Sequence, residues 1–209
     1  MKSQYVKLKT IEKPKSNVLF VSNPNIGVID TETYLCKDNI YKIYALGFKT
    51  NLEDNPKIYY IDKDNLDSNS IVLSMVNELI RPKYNKRSFY CHNLGGYDII
   101  FLIGALFRYN KSKPDKDHYK MNYVFRDKRI IRITISKEST RKVTIRDSYT
   151  ILTSSQKDLC LTFGVQSLKT DFPYKFLHQD NLLYIGNTPD ISFFEDISVD
   201  SYNSIFRKD

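Results

Sequence analysis

The sequence predicts an α/β fold with a mixed central sheet and helices on its faces. Short segments rich in β-branched and aromatic residues recur in the first half of the chain. A helical pattern at 70–80 separates the third of these segments from the fourth, and a second helical pattern at 99–109 follows the fourth directly. Strands interrupted by helices in this way are typical of a sheet that is covered by helices.

The composition is that of a folded protein with a basic surface. The 209 residues include 41% hydrophobic residues, and they carry a net charge of +8 with a pI of about 9.2. The length fits one domain, with or without an extension. A basic surplus favours a polyanionic partner such as nucleic acid, although solubility alone would also explain it. No apolar run is long enough to cross a bilayer, so we expect no membrane association.

The three cysteines, Cys36, Cys91 and Cys160, are far apart and have neither zinc-ligand nor redox spacing. We interpret them as reduced core thiols, which favours an intracellular compartment. Alanine occurs only at Ala45 and Ala105, whereas lysine, asparagine and isoleucine are abundant. Such a bias is typical of AT-rich coding DNA, including that of organelles, and predicts a mitochondrial location or otherwise a cytoplasmic one.

Residues 1–23 are polar and basic, and they lack the apolar segment of a secretory signal. We predict that they form an extension, either a flexible arm or an extra edge strand, and that residues 24–209 form the folded domain.

The elements of the domain follow in a regular order up to about residue 164. We predict strands at 26–33, 40–50 and 57–62, a helix at 70–80, a strand at 88–91, a helix at 99–109, strands at 123–125, 130–136 and 142–147, and a short helix at 154–163. Asn69 or Ser70 is the predicted cap of the first helix, Pro82 ends it, and Gly164 caps the last one. Residues 190–209 show no clear periodicity.

Three strands, a helix, a buried strand and another helix are the order of a ribonuclease-H-like domain. Because a helix crosses over before the fourth strand, that strand should lie parallel to the first strand and beside it. The loop that leaves the fourth strand is then expected next to the end of the first strand.

Two carboxylates, Asp30 and Glu32, end the predicted first strand. Residues two apart share a face of a strand, so these like charges would repel unless a divalent cation held them. Asp98, in the first turn of the helix after the fourth strand, would approach the same ions, although the helix dipole also favours an acid there. A solvated loop is the alternative explanation for Asp30 and Glu32.

Other residues of the same loop and helix could contact a ligand. Asn93 offers an amide for a sugar or phosphate oxygen, and Gly95 and Gly96 allow a tight turn. Phe101 lies three residues after Asp98 on the same helix face, where it could stack on a nucleobase or pack in the core.

Four motifs in order resemble those of family B DNA polymerases, in particular the protein-primed branch of linear plasmids, adenoviruses and small phages. Asp30-Thr31-Glu32-Thr33 and His92-Asn93-Leu94-Gly95-Gly96-Tyr97-Asp98 are similar to the first and second exonuclease motifs of that family. Asp147-Ser148-Tyr149-Thr150-Ile151-Leu152 is similar to its Ser/Thr-Leu-x-x-hydrophobic motif, with Tyr149 in place of the usual leucine. The segment 167–174 resembles the motif with a lysine, here Lys169, and a tyrosine five residues later, here Tyr174.

The resemblance implies a proofreading 3′–5′ exonuclease that removes nucleotides from the 3′ end of single-stranded DNA by two-metal hydrolysis. In that family Asp30, Glu32 and Asp98 would hold two Mg²⁺ or Mn²⁺ ions, and Lys169 would contact the scissile phosphate. The residues implied to grip the DNA end are Thr33, His92, Asn93, Tyr97, Phe101, Ser148, Tyr149 and Tyr174. A terminal protein primer and a polymerase domain are the further partners implied, and we expect a monomer.

One expected motif of that family is missing. After Lys169 no tyrosine is followed four residues later by an aspartate, so the fourth metal ligand is not found, and the polymerase motifs are absent too. We therefore expect the N-terminal exonuclease part of a larger DNA-directed DNA polymerase, incomplete at its C-terminal side and weak or inactive alone. A decayed exonuclease that only binds single-stranded nucleic acid is the alternative. A ribonuclease H acting on RNA–DNA hybrids is a third hypothesis, which the 92–98 motif disfavours.

Overall fold

The computed structural model describes residues 25–137, 141–165, 171–195 and 197–206, and within them the chain forms one seven-stranded mixed sheet. The strands are β1 (Ile26–Leu35), β2 (Tyr41–Thr50), β3 (Lys57–Tyr60), β4 (Ser88–Cys91), β5 (Lys120–Arg126), β6 (Arg129–Ser136) and β7 (Lys142–Asp147). The helices of these residues, apart from short 3₁₀ turns, are α1 (Ser68–Leu79), α2 (Asp98–Lys111), α3 (Gln156–Thr162) and α4 (Val199–Phe206). The predicted extension at 1–23 lies outside the described residues.

The order of the strands across the sheet is β3-β2-β1-β4-β7-β6-β5. β4 pairs in parallel with both β1 and β7, and the remaining neighbours are antiparallel. The predicted parallel pairing of the first and fourth strands is therefore confirmed. It places the loop from β4 to α2 beside the second half of β1, because Cys91, the last residue of β4, pairs with Ile29.

α1 and α2 cover one face of the sheet and form the core with it. In α1 the side chains of Ile71, Val72, Met75, Val76 and Leu79 recur at intervals of one helical turn, and all five are buried. The other face of the sheet, which we call the outer face, carries Val28, Asp30, Tyr90 and Arg146. Val28 is 54% exposed on that face, whereas its neighbour Ile29, on the helix side, is only 7% exposed.

The start of α1 differs from the prediction. The side chain of Asp67 accepts a hydrogen bond of 2.9 Å from the backbone N–H of Asn69, so Asp67 is the cap and the helix begins at Ser68. The predicted caps, Asn69 and Ser70, are helical instead. The neighbouring aspartate takes the cap position because its carboxylate is the stronger acceptor for the free N–H groups of a helix start.

One β-bulge bends the sheet beside the two predicted carboxylates. Glu32 of β1 pairs with Ala45 of β2, but the next residue, Thr33, pairs with Ile43, so Tyr44 is an extra residue in β2. A bulge of this kind increases the local twist and bend of a strand.

The helix α4 was not predicted from the sequence. Its Tyr202 is buried, and the ring of Tyr202 lies 5.4 Å from that of Phe194 and 5.6 Å from that of Phe206. This local aromatic cluster, rather than an apolar stripe, stabilises the helix. None of the helices among the described residues is long and apolar enough to cross a membrane.

Candidate active site

The second half of β1 presents acids and hydroxyls on alternate sides of the strand, which continues to Leu35 instead of ending at the two acids as predicted. Asp30 is exposed, and it lies with Glu32 on the outer face. Both line a cleft of about 840 Å³ that also includes Tyr90 and Ile151. We call this the outer cleft. The two carboxylates predicted to share a face of the strand therefore border one open cleft.

Asp98, at the start of α2, approaches β1 from the helix side. The Thr31 hydroxyl, between the two acids in sequence, donates a hydrogen bond to the Asp98 carboxylate. Burial raises the pKa of Asp98, and the nearby Asp30 charge adds to this rise, against the opposing effect of hydrogen bonds from Thr31 and Cys91. Asp30 and Asp98, although distant in sequence, are thus close enough to repel each other.

The three acids offer the oxygen donors that Mg²⁺ and Mn²⁺ prefer, and a cation would relieve the repulsion between Asp30 and Asp98. Within the described parts of the chain, however, no three His, Cys, Asp or Glu side chains are grouped closely enough to hold a metal ion. The donor chemistry fits a divalent ion, whereas the three carboxylates are not preassembled as one ligand set. The assignment of Asp30, Glu32 and Asp98 as metal ligands stays a prediction.

Glu32 also lines a second cleft of about 780 Å³, with Thr33, Tyr97 and Tyr174. We call this the side cleft. The hydroxyls of Thr33 and Tyr97 lie 2.6 Å apart, within hydrogen-bonding distance. The structure therefore brings together three of the residues implied to grip a DNA end, beside one of the predicted metal ligands.

Two other predicted site residues, Phe101 and Lys169, are not among the described residues that line the side cleft. Phe101 packs against the core, and its ring centroid is 5.2 Å from that of Tyr97. The Phe101 ring therefore packs between the core and the Tyr97 ring. Lys169 lies outside the described residues, so its predicted contact with the scissile phosphate stays a prediction.

The segment after residue 170 brings Tyr174 to the side cleft. Its His178 forms a parallel β-bridge with Leu35 at the end of β1, and its Asp180 lies 2.8 Å from the ammonium group of Lys37. Burial raises the pKa of Tyr44 to about 12, and the charges of Glu32 and Tyr174 add to this effect. This places Tyr174 close to the bulge and to Glu32.

A second group of predicted residues surrounds His92. Its Nδ1 lies 3.1 Å from the Ser148 hydroxyl, its Nε2 lies 3.0 Å from the carbonyl oxygen of Ser154, and its ring is 5.6 Å from that of Tyr149. Both ring nitrogens are thus engaged, and His92 links the loop after β4 to the turn at Ser148–Thr150. His92 and Ser148 also line the outer cleft.

Asp147, which the sequence analysis did not single out, fixes the two loops that bound the site. It is 1% exposed, and its carboxylate accepts hydrogen bonds of 3.0 Å from the backbone N–H groups of Gly95 and Tyr149. Arg129 lies 3.6 Å from the same carboxylate and donates a 2.6 Å hydrogen bond to the side-chain oxygen of Asn93. The Asn93 side-chain oxygen is therefore engaged by Arg129, and the predicted contact of the Asn93 amide with a sugar or phosphate oxygen stays a prediction. The sequence signals for Asp147 were its position at the end of β7, on the face of the apolar Val143 and Ile145, and its place at the start of the 147–152 motif.

Gly95 and Gly96 of this loop each lie too close to neighbouring atoms to carry a side chain. A Cβ on Gly95 would lie 2.4 Å from the carbonyl oxygen of Ile130. A Cβ on Gly96 would lie 2.5 Å from the side-chain oxygen of Asn93. Gly95 thus allows the loop to approach the start of β6, and Gly96 leaves room for the Asn93 side chain.

Comparison with known proteins decides the family. Residues 79–209 match the family model described as DNA polymerase type B, organellar and viral. The chain belongs to this family. It is 31% identical to a probable DNA polymerase of Podospora anserina over 88% of its length, and 34% identical to a probable DNA polymerase of Agaricus bitorquis over 82%. It spans only 19% and 22% of those two relatives. The resemblance to family B polymerases is therefore confirmed.

Solved structures confirm the fold. Phi29 DNA polymerase complexed with single-stranded DNA matches 71% of this chain and 25% of its own with a TM-score of 0.52 and 22% identity. The same polymerase complexed with primer-template DNA matches 86% of this chain and 28% of its own, with the same TM-score and 19% identity. The predicted α/β, ribonuclease-H-like architecture of this chain is therefore confirmed.

Proposed function

We propose that this part of the polymerase is a 3′–5′ exonuclease that removes terminal nucleotides from single-stranded DNA during proofreading by a protein-primed enzyme. The observation that carries the proposal is the meeting of two chain segments at one sheet edge. Asp30 and Glu32 follow Ile29, the last residue of β1 that pairs with β4, and Asp98 begins the helix that follows β4. The hydrogen bond from Thr31 to Asp98 joins the two segments.

Asp30, Glu32 and Asp98 would hold the divalent ions, Mg²⁺ or Mn²⁺. When bound, such ions supply a nucleophilic water and stabilise the leaving 3′ oxygen. Thr31 keeps the Asp98 carboxylate directed at β1 through its hydroxyl. Burial of Asp98 makes its ionised form costly in the absence of a cation, so a bound cation would be strongly favoured there.

The side cleft would hold the terminal nucleotide. Thr33 and Tyr97 present a coupled pair of hydroxyls that can donate to sugar or phosphate oxygens, and Tyr174 presents a ring that is 38% exposed. Stacking of a base on an exposed aromatic ring is largely independent of sequence, as proofreading requires. Lys169 would contact the phosphate next to the bond that is cleaved.

Degradation of a 3′-labelled single-stranded oligonucleotide with Mg²⁺ or Mn²⁺ tests the proposal. We expect Asp30→Asn and Asp98→Asn to lower the rate by about 100-fold or more, since each removes a group that stabilises charge in the transition state. Asp115→Asn is the matched control, because the side chain of Asp115 is fully exposed in the turn after α2. Equal rates for Asp30→Asn and the unchanged chain would contradict the proposal.

The second candidate function is binding of single-stranded nucleic acid without hydrolysis. It is favoured by the lack of a preassembled three-ligand group in the described residues and by the net charge of +8. It predicts salt-sensitive binding that persists in EDTA and in Asp30→Asn, with no product formed in Mn²⁺. Release of nucleotides that depends on Asp30 would refute this candidate.

The wider setting is also a proposal, because the chain spans about a fifth of the relatives above. We propose that it works with a polymerase domain and a terminal protein primer, as a monomer, in the mitochondrion. Fractionation of cells that carry a tagged copy of the gene tests the location, and recovery of the tag in the cytosol alone would refute it.

A further inference from the structure

Two arginines face each other on the outer face. Arg146 of β7 pairs directly with Arg132 of β6 across the antiparallel ladder, and Tyr90 of β4 lies beside Arg146 on the other side. Side chains directly opposite in such a ladder are about 5 Å apart at Cβ, and like charges placed there destabilise the sheet. Neither arginine forms an ion pair with a described residue. The sheet thus carries a repulsive pair that nothing in the described chain neutralises.

The Arg146 guanidinium also has an unmet hydrogen bond. Its Nε is buried and has no partner among the described residues. A buried N–H group without an acceptor is unfavourable, and more so in a charged group. Arg132 and Arg146 line a cavity of about 170 Å³ together with Tyr90, whose hydroxyl is a further potential donor, and Thr150, whose hydroxyl donates to the carbonyl oxygen of Asp147. An anion in this cavity would satisfy the Nε group and neutralise the pair.

Asp147 also borders the cavity, but its carboxylate is already occupied. It accepts the N–H groups of Gly95 and Tyr149 and lies closest to the guanidinium of Arg129. It therefore does not serve as the counterion of Arg132 and Arg146.

A purely structural role for the pair would be to cover apolar surface with the side-chain stems while the charged groups reach water. That role explains neither the buried Nε of Arg146 nor the direct opposition of two positive charges. Both features suit a planar donor group that binds a phosphate through two parallel hydrogen bonds.

We propose that Arg132 and Arg146 bind a backbone phosphate of single-stranded DNA on the outer face, upstream of the 3′ end. The inference rests on the proposed function for the direction of the strand. Tyr90 and Ile151 line both the arginine cavity and the outer cleft that contains Asp30 and Glu32. β7 is two strands from β1, which is about 10 Å across the sheet. A strand with its 3′ end at Asp30 therefore reaches the arginines within a few nucleotides.

Binding of fluorescein-labelled single-stranded DNA, followed by anisotropy in EDTA over a range of salt concentrations, tests this site without any chemistry. We expect Arg146→Gln and Arg132→Gln each to raise Kd about 10-fold, and the double variant to lower the salt slope by about 0.7 for each phosphate that it no longer binds. Arg146→Lys keeps the charge but lacks the Nε donor, so we expect an intermediate Kd. Lys116→Gln, in the exposed turn after α2, is the matched control for removal of one charge.

The length of the oligonucleotide separates a strand phosphate from an isolated phosphate. We expect the effect of Arg146→Gln with oligonucleotides of about six or more nucleotides and not with a dinucleotide, with inorganic phosphate as a weak competitor. Competition by inorganic phosphate at equal strength, independent of length, would overturn the assignment to the DNA backbone. Unchanged DNA binding in the double variant would overturn the proposed phosphate site.

Thermal unfolding distinguishes binding from folding, and Asp30→Asn separates this inference from the proposed function. We expect the Tm of the Arg132→Gln variant to equal or exceed that of the unchanged chain, because the repulsion is removed. A lowered Tm with unchanged DNA binding would show that the arginines are structural. If no nuclease activity is found but binding in EDTA still depends on Arg146, the exonuclease proposal fails and the phosphate site stands.

Discussion

Replacement of Asp147 by alanine tests how the two loops of the site are held in place. Asp147→Ala removes the acceptor of two backbone N–H groups, those of Gly95 and Tyr149, and the partner of Arg129. Each hydrogen bond to a charged group contributes about 1.5 kcal/mol, and the Arg129 pair adds about 0.5 kcal/mol because that side chain is 41% exposed. We therefore expect the free energy of unfolding to fall by about 3–4 kcal/mol.

Urea denaturation followed by circular dichroism measures this change, provided that the slope with urea is unchanged. Asp147→Asn keeps one carbonyl acceptor, and we expect its free energy of unfolding to fall by about half as much. Asp115→Ala is the control, since the Asp115 side chain is fully exposed in the turn after α2. If the free energy of unfolding of Asp147→Ala is within about 1 kcal/mol of that of the unchanged chain, the carboxylate does not fix these loops as described.

Three further predictions concern the side cleft, the loop before α2 and the pH dependence of stability. Thr33→Val and Tyr97→Phe should each raise the Kd for single-stranded DNA about 5-fold. The Kd of the double variant should be no higher than that of either single variant, because each substitution breaks the same pair of hydroxyls. Additive effects in a double-mutant cycle would contradict this. Gly95→Ala should lower the free energy of unfolding by about 2 kcal/mol in urea, because its Cβ would meet a backbone oxygen at 2.4 Å, and an unchanged midpoint would refute the packing argument. Burial raises the pKa of Glu53, but three side-chain hydrogen bonds outweigh burial and lower it to about 2. Because the pKa of Glu53 is lower in the folded chain than in the unfolded one, this stabilisation is complete above pH 4.5 and is lost as the pH falls towards 2. We expect the free energy of unfolding to fall by about 1 kcal/mol over this range, after allowance for solvent screening. Glu53→Gln should remove this pH dependence, which urea denaturation at several pH values measures.

The strands and the first two helices could be predicted because their signals are local. The strand predicted at 88–91 has those bounds in the structure, and the helix predicted at 99–109 became α2 with one residue more at its start and two more at its end. The parallel pairing of β1 and β4 followed from the helix between them, through the geometry of crossovers.

The site was predicted only in part, because its contacts join segments that are distant in sequence. Asp30 and Glu32 share a face as alternation requires, whereas the hydrogen bond between Thr31 and Asp98 follows from no pattern in the chain. Asp147 was missed because the groups that it binds come from the loop after β4, the turn after β7 and the start of β6. Further site residues were predicted from the resemblance to a known family, and the packing of the partly buried Phe101 against the core and the Tyr97 ring was not among those predictions.

The bulge at Tyr44 gives β2 one residue more than its pairing with β1 requires. Ile43 and Leu46 both face the helices although they are three positions apart, because Tyr44 is the surplus residue. Deleting Tyr44 would place them two positions apart, the ordinary spacing of a flat strand, so the same apolar side chains would still point inward. The edge beside Glu32 would straighten, and the sheet would lose the Tyr44 ring that packs against the core. The curvature of this edge thus depends on a single surplus residue of β2.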